Sequence, residues 1–160
     1  MAKILQHNLG KLTDGLHCLL ETSKERGVDL MLIQEPPNSD CRPTHTACDL
    51  WSVGRTLAAR RVDSDWTVTT EGAHTGATEG DVQVLAVGRR GQVGRHLRVV
   101  NVYFQRHGRE GSYRPAERAR WDDILTDEAV VIARDCNAHS PVWNPWCTTR
   151  RDARSLEDLI

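Results

Sequence analysis

At 160 residues the chain has the size of one domain with a core of its own. Hydrophobic residues make up 39% and charged residues 27%, and no apolar stretch approaches the length that would cross a bilayer, which excludes a helical membrane span. A formal net charge of −1 excludes a global basic field, so any contact with nucleic acid must rest on local clusters.

Two such clusters exist. Arg89 and Arg90 lie near Arg95, His96 and Arg98, and Arg106, His107 and Arg109 lie near Arg114, Arg118 and Arg120. Each alone reads as readily as a solvated face. The N-terminal residues 1–8 lack the long apolar segment of a signal peptide, so a nuclear or cytoplasmic location is expected and secretion is not. The five cysteines are odd in number and have no secretory context, which points to free thiols instead of a disulfide framework. Cys41, His45 and Cys48 have the spacing of half a zinc knuckle. No second pair at finger-like spacing accompanies them, and zinc is not expected.

In chain order, residues 3–7 read as a short strand. Leu12, Leu16, Leu19 and Leu20 then recur at i, i+4, i+7 and i+8, one apolar stripe of a helix. Lys24 and Arg26 belong to its last turn and Gly27 to its stop. The compact apolar run 28–33 is of strand length, closed by Gln34-Glu35-Pro36-Pro37. Strand, helix and strand in about thirty residues form a βαβ-type unit, which favours parallel pairing.

A polar loop spans residues 38–49. Strands are expected at 51–60, 66–70, 81–87 and 97–104, with glycine-bearing turns between the last two, and residues 72–80 as an exposed loop. Pro115 can open a helix running through Leu125. Residues 129–133 are a further buried-strand candidate, and Leu156, Leu159 and Ile160 suggest the start of a final helix. The mixture predicts a single α+β domain over residues 1–160, with sheets in layers.

Polar residues stand where these strands end: Asn8, Glu35, Tyr103, and Asp135 with Asn137. Polar groups at strand ends converge on one rim of a sheet, the usual place for a site. None is informative alone. Together with Gln6-His7-Asn8, Leu32-Ile33-Gln34-Glu35-Pro36 and Asn101-Val102-Tyr103, the segment Asp135-Cys136-Asn137-Ala138-His139-Ser140-Pro141-Val142-Trp143 resembles the endonuclease/exonuclease/phosphatase superfamily. Within it, the Asn-Ala-His-Ser-Pro-x-Trp stretch resembles the endonuclease domains of non-LTR retrotransposons. The likeness runs over most of the chain, although residues 38–80 contribute little.

The resemblance implies a layered α/β sandwich of the DNase I-like type, two mixed β-sheets flanked by helices. It also implies a Mg²⁺-dependent (or Mn²⁺-dependent) DNA endonuclease that nicks a target site for reverse transcription. Phosphodiester cleavage needs a hard cation held by a few carboxylate and amide oxygens. By resemblance Glu35 is the main ligand, with Asn8 beside it. Asp135 would orient or activate the attacking water, and Asn137 would hold a phosphate oxygen. Tyr103 would donate to the phosphate or the developing oxyanion. Arg106 and Arg109 would contact phosphate or DNA, His139 would buttress the loop, and Trp143 would pack in the core.

Three departures from the family pattern stand out. Arg134 replaces the usual Gly and would crowd the rim or add a cation, and Cys136 replaces an apolar residue. Tyr103 is followed by Phe104-Gln105-Arg106 instead of a Pro-containing turn. The family's closing Asp and Ser-Asp-His segment has no counterpart before Ile160, so the domain is expected to be C-terminally incomplete. An unpaired sheet edge is then expected, filled by a second copy or another chain. Two other functions follow from these departures and from the superfamily. One is a catalytically dead remnant serving as a nucleic-acid or protein-binding module. The other is a phosphatase of the same superfamily, from which the Asn-Ala-His-Ser-Pro-x-Trp segment leans away.

Overall fold

The computed structural model describes residues 1–38, 47–71, 81–94, 96–103, 120–125 and 129–135, with Asp135 described by its backbone. Two four-stranded sheets pack face to face. The first has the order β1-β2-β4-β3, built from β1 (Ile4–Asn8), β2 (Leu30–Gln34), β3 (Cys48–Val53) and β4 (Thr56–Arg61). The second has the order β5-β6-β7-β8, built from β5 (Trp66–Thr70), β6 (Val82–Arg89), β7 (His96–Tyr103) and β8 (Val130–Asp135). Each sheet carries one parallel pair, β1 with β2 and β7 with β8, and its other pairs are antiparallel. Both sheets are therefore mixed, as expected.

The helix α1 (Thr13–Glu25) links β1 to β2 and makes their parallel pairing possible. Its leucine stripe is the reason it packs: Leu16 and Leu20 are fully buried against Met31, Ile33, Leu57 and Ala59 on the outer face of the first sheet. Burying each of these leucines stabilises the layer by about 1.5–3 kcal/mol. The helix stops where Gly27 turns to φ +64, with Gly27 N–H donating to Lys24 O (3.1 Å) and Val28 N–H to Ser23 O (2.9 Å). This is the Schellman arrangement, and it needs a residue that tolerates the left-handed region.

Leu30, Leu32 and Ala58 of the first sheet face Val68, Leu85, Val87, Val99 and Ala133 of the second, forming the central core. The outer face of the second sheet is covered by α2 (Trp121–Ile124), whose Ile124 packs on Val82, Val84, Val100 and Val102. Helices thus flank the two sheets on both sides. The alternation along β6 and β7 explains the two-sided burial, since odd and even residues feed different layers.

One strand expected from the sequence is corrected. Residues 51–60 do not form a single strand. Val53 pairs with Thr56 across a two-residue turn, and Gly54 occupies its first central position at φ +52. A hairpin turn that short requires positive φ, and one glycine suffices to supply it. The other strands lie where expected, with ends shifted by two residues at most. The loop at 72–80, the helix start at Pro115 and the final helix near Leu156 lie outside the described residues.

Among the described residues β1 and β8 are each paired on one side only. Val131 and Ile132 of β8 are each 41% exposed. Among the described residues no helix is long and apolar enough to cross a membrane.

Candidate active site

The strand directions decide where the polar residues gather. β1 and β2 run parallel, as do β7 and β8, and Gln34 Nε2 donates across the interface to Asn101 Oδ1 (2.6 Å). The C-terminal ends of all four strands therefore meet at one rim. Asn8 and Glu35 arrive from the first sheet, and Tyr103 and Asp135 from the second. Tyr103 and Asp135 are register partners on adjacent strands, which places both at the same level of the rim.

Asn8 Nδ2 donates to Glu35 Oε2 (3.2 Å), while Asn8 Oδ1 accepts from Gly10 N–H (2.8 Å). Glu35 itself is held in a left-handed backbone conformation, φ +47, and Lys11 beside it has φ +68. A non-glycine residue there costs about 1–2 kcal/mol. The strain is held by hydrogen bonds on both sides of the Glu35 peptide. Glu35 N–H donates to Arg55 O (2.9 Å), and Glu35 O accepts from Lys11 N–H (2.7 Å). The bend turns the carboxylate off the end of β2 toward its neighbours instead of leaving it in line with the strand.

Tyr103 is nearly inaccessible, and the Glu35 carboxylate and the Arg55 guanidinium are the charged side chains that act on its hydroxyl. Burial pushes the phenol above its ordinary value, and the Glu35 carboxylate adds to the rise while Arg55 opposes it. Tyr103 is therefore a protonated donor throughout the neutral range. The Arg55 guanidinium also lies 5.7 Å from the Tyr103 ring centroid, within cation–π reach.

Beneath the rim runs a chain of buried amides. Gln6 Nε2 donates to Gln34 Oε1 (3.3 Å), and Gln34 in turn to Asn101. Asn101 Nδ2 reaches Gln83 Oε1 (3.3 Å) and the backbone oxygens of Ile33 and Leu57, and Gln83 Nε2 ends on Trp51 O (2.9 Å). Gln34, Gln83 and Asn101 are all but fully buried, so each unmade bond would carry the cost of a desolvated amide. The chain fixes the two sheets in register directly below Glu35 and Tyr103.

The structure brings together Asn8, Glu35 and Tyr103 and places the backbone of Asp135 alongside them. Asn137, Arg106, Arg109, His139, Cys136 and Trp143 lie outside the described residues, as do most of the second basic cluster, Cys41 and His45. The first basic cluster serves structure in part: Arg98 is ion-paired to Glu71 (3.1 Å), and Arg90 donates to Ser64 O (3.3 Å). Arg134 is partly buried, and its carbonyl accepts from Gln6 Nε2 (2.9 Å), tying β8 to β1. Cys18 and Cys48 are free thiols, as expected, and Cys48 belongs to the core under α1.

Two rim residues were not anticipated. Arg55 enters through the Gly54 turn, and the buried Asp81 accepts from Arg55 N–H at Oδ1 (2.9 Å) while its carbonyl accepts from Tyr103 N–H (2.8 Å). The only local signal for Arg55 was the single glycine before it.

A divalent cation can be weighed against the donor set. Glu35 brings a carboxylate to an accessible strand end, a hard donor of the kind Mg²⁺ takes along with retained water, while Asn8 turns its Nδ2 to Glu35 and its Oδ1 to Gly10 N–H. The donor types suit such an ion, with the Asn8 amide turned over so that its oxygen faces the carboxylate.

No family model matches the sequence, and no curated protein matches it. Solved structures do match. One is the endonuclease domain of TRAS1, a telomere-specific non-LTR retrotransposon, with a TM-score of 0.74 and 18% sequence identity, covering 99% of this chain and 68% of that one. The fold is of the DNase I-like type and is shared with that domain, so the likeness seen in the sequence holds at the level of the fold.

Proposed function

We propose that this chain is a Mg²⁺-dependent (or Mn²⁺-dependent) DNA endonuclease domain of the non-LTR retrotransposon kind, hydrolysing a phosphodiester bond to nick duplex DNA. The observation that carries the reading is the convergence of Asn8, Glu35 and Tyr103 on one rim, with Asp135 in register beside Tyr103. The fold shared with an endonuclease domain supports it. A nuclear site of action goes with this function.

Glu35 and Asn8 would hold the cation, which supplies charge neutralisation at the scissile phosphate when bound. The protein's own groups divide the remaining work. Tyr103, kept protonated by burial and by Glu35, donates its O–H to a phosphate oxygen whose charge grows in the transition state. Asp135 is at the level where a water beside that phosphate can be oriented as nucleophile. Asn137, Arg106 and Arg109 would take the phosphate contacts that the sequence resemblance implies, and His139 would have the supporting role it implies.

The test is conversion of supercoiled plasmid to open circle with Mg²⁺. The wild-type chain should nick, and Glu35→Ala and Asp135→Ala should not. Nicking that persists in both variants would remove these residues from the site. Release of phosphate from small phosphomonoesters at a comparable rate would favour a phosphatase instead.

A further inference from the structure

Arg55 has a more constrained setting than a surface arginine. Its N–H donates to Asp81 Oδ1 and its carbonyl accepts from Glu35 N–H, both at 2.9 Å, so its backbone ties the two sheets together at the rim. Its side chain lies against the Tyr103 ring, 5.7 Å from the centroid. Among the described residues the guanidinium forms no ion pair, unlike Arg60, Arg61, Arg98 and Arg120. A guanidinium carries five N–H donors in one plane, and a ring contact uses none of them in full.

Charge makes the setting more telling. Glu35, the buried Asp81 and the register position of Asp135 bring acidic residues to this rim. A polyanion approaching them needs a fixed cation close by. We propose that Arg55, stacked on Tyr103, is an anion-binding residue that takes a non-bridging phosphate oxygen of the substrate strand next to Glu35. The identity of the anion as DNA rests on the nuclease reading, whereas the anion site itself rests on the Arg55–Tyr103–Glu35 cluster. Lysine would not replace arginine here, because it offers a point charge without the plane that packs on the ring or a forked pair of donors.

The test uses the whole chain and a fluorescein-labelled duplex of mixed sequence in chelator-containing buffer, where cleavage is off. Anisotropy titrations across a salt series give the slope of log K against log[salt]. Arg55→Ala should weaken binding about tenfold and reduce that slope by about 1, the signature of one lost phosphate contact. Arg55→Lys should restore the slope but not the full affinity. Circular dichroism and a melting curve confirm that the variants are folded. A parallel titration with inorganic phosphate, followed by NMR at the Tyr103 ring and Arg55 Nε–H, reads the anion site without DNA. Duplex binding with an unchanged slope in folded Arg55→Ala overturns the proposal and leaves the nuclease reading standing. A wild-type chain that neither binds nor nicks DNA, yet shows phosphate shifts lost in Arg55→Ala, sinks the nuclease reading and keeps the anion site. Absence of both responses in the wild type overturns the two together.

Discussion

The two ends of the sheet sandwich treat their carboxylates differently. At the end away from the rim, Asp49 is closed by Arg60, Asp63 by Arg61, and Asp29 accepts from Lys3 N–H (2.9 Å) and Ser64 Oγ (2.8 Å). At the rim, Glu35 accepts from the neutral amide of Asn8 and lies near the neutral phenol of Tyr103, and among the described residues no ion pair cancels its charge. Backbone strain follows the same division, with the positive φ values at non-glycine residues confined to Lys11 and Glu35 among the described residues. A carboxylate fixed by neutral donors keeps its charge for an incoming cation. One fixed by an arginine has already used its charge.

The sharpest way to break this contrast is to remove the uncancelled charge. Glu35→Ala should lower the plasmid-nicking rate on the order of 10³-fold, the loss of several kcal/mol of charge stabilisation. Its melting temperature should stay close to that of the wild type, because the side chain is only partly buried. A fall in melting temperature of more than about 10 °C would mean that Glu35 belongs with the structural carboxylates after all.

The amide chain is the next largest effect, and it acts on stability. Asn101→Leu strands Gln34 Nε2 and Gln83 Oε1 inside the core and removes the added bonds to Ile33 O and Leu57 O. At about 1–3 kcal/mol for each group left bare, a loss of about 3 kcal/mol or more is expected in urea denaturation. A near-neutral result would show that the sheets hold their register without the amides.

Tyr103→Phe tests the neutral donor itself and should reduce nicking on the order of 10²-fold, as for one lost oxyanion donor. The pH dependence has a definite sign. Folding raises the Tyr103 pKa, so the folded state holds its proton more tightly, and the resulting stability is fully present below about pH 10. It is lost as pH rises from there through the folded value. The wild type should therefore lose stability more steeply above pH 10 than Tyr103→Phe, as read from melting curves across that range. Parallel curves would remove burial as the reason Tyr103 remains a donor.

What the sequence made legible follows from how local each signal is. The β1-α1-β2 unit could be read because its leucine spacing and Gly27 lie within one short segment. Asn8, Glu35, Tyr103 and Asp135 could be picked out because each ends a recognisable strand within a resembling motif. The Gly54 turn was missed because a lone glycine within an apolar run carries little weight beside the residues around it. Arg55 and Asp81 were missed because they reach the rim only when two sheets close on each other. The Gln34–Asn101 bond spans 67 residues of chain, and no periodicity reports a pairing of that range.

The smallest effects separate the two ends most cleanly, because they have opposite signs. Asp49 is 43% exposed and Arg60 keeps a second bond to Trp66 O (2.9 Å), so Asp49→Asn should cost under about 1 kcal/mol. Its amide oxygen can still accept from Arg60 Nε, and only the charge term disappears. Glu35→Gly should instead raise stability by about 1 kcal/mol, since glycine occupies φ +47 without the Cβ clash that Glu35 endures. The same variant should not nick DNA. Thermal melts of the two proteins beside the wild type decide the matter. If Glu35→Gly melts lower than Asp49→Asn, the left-handed turn is not a strain carried for the site, and the rim is organised for stability like the opposite end.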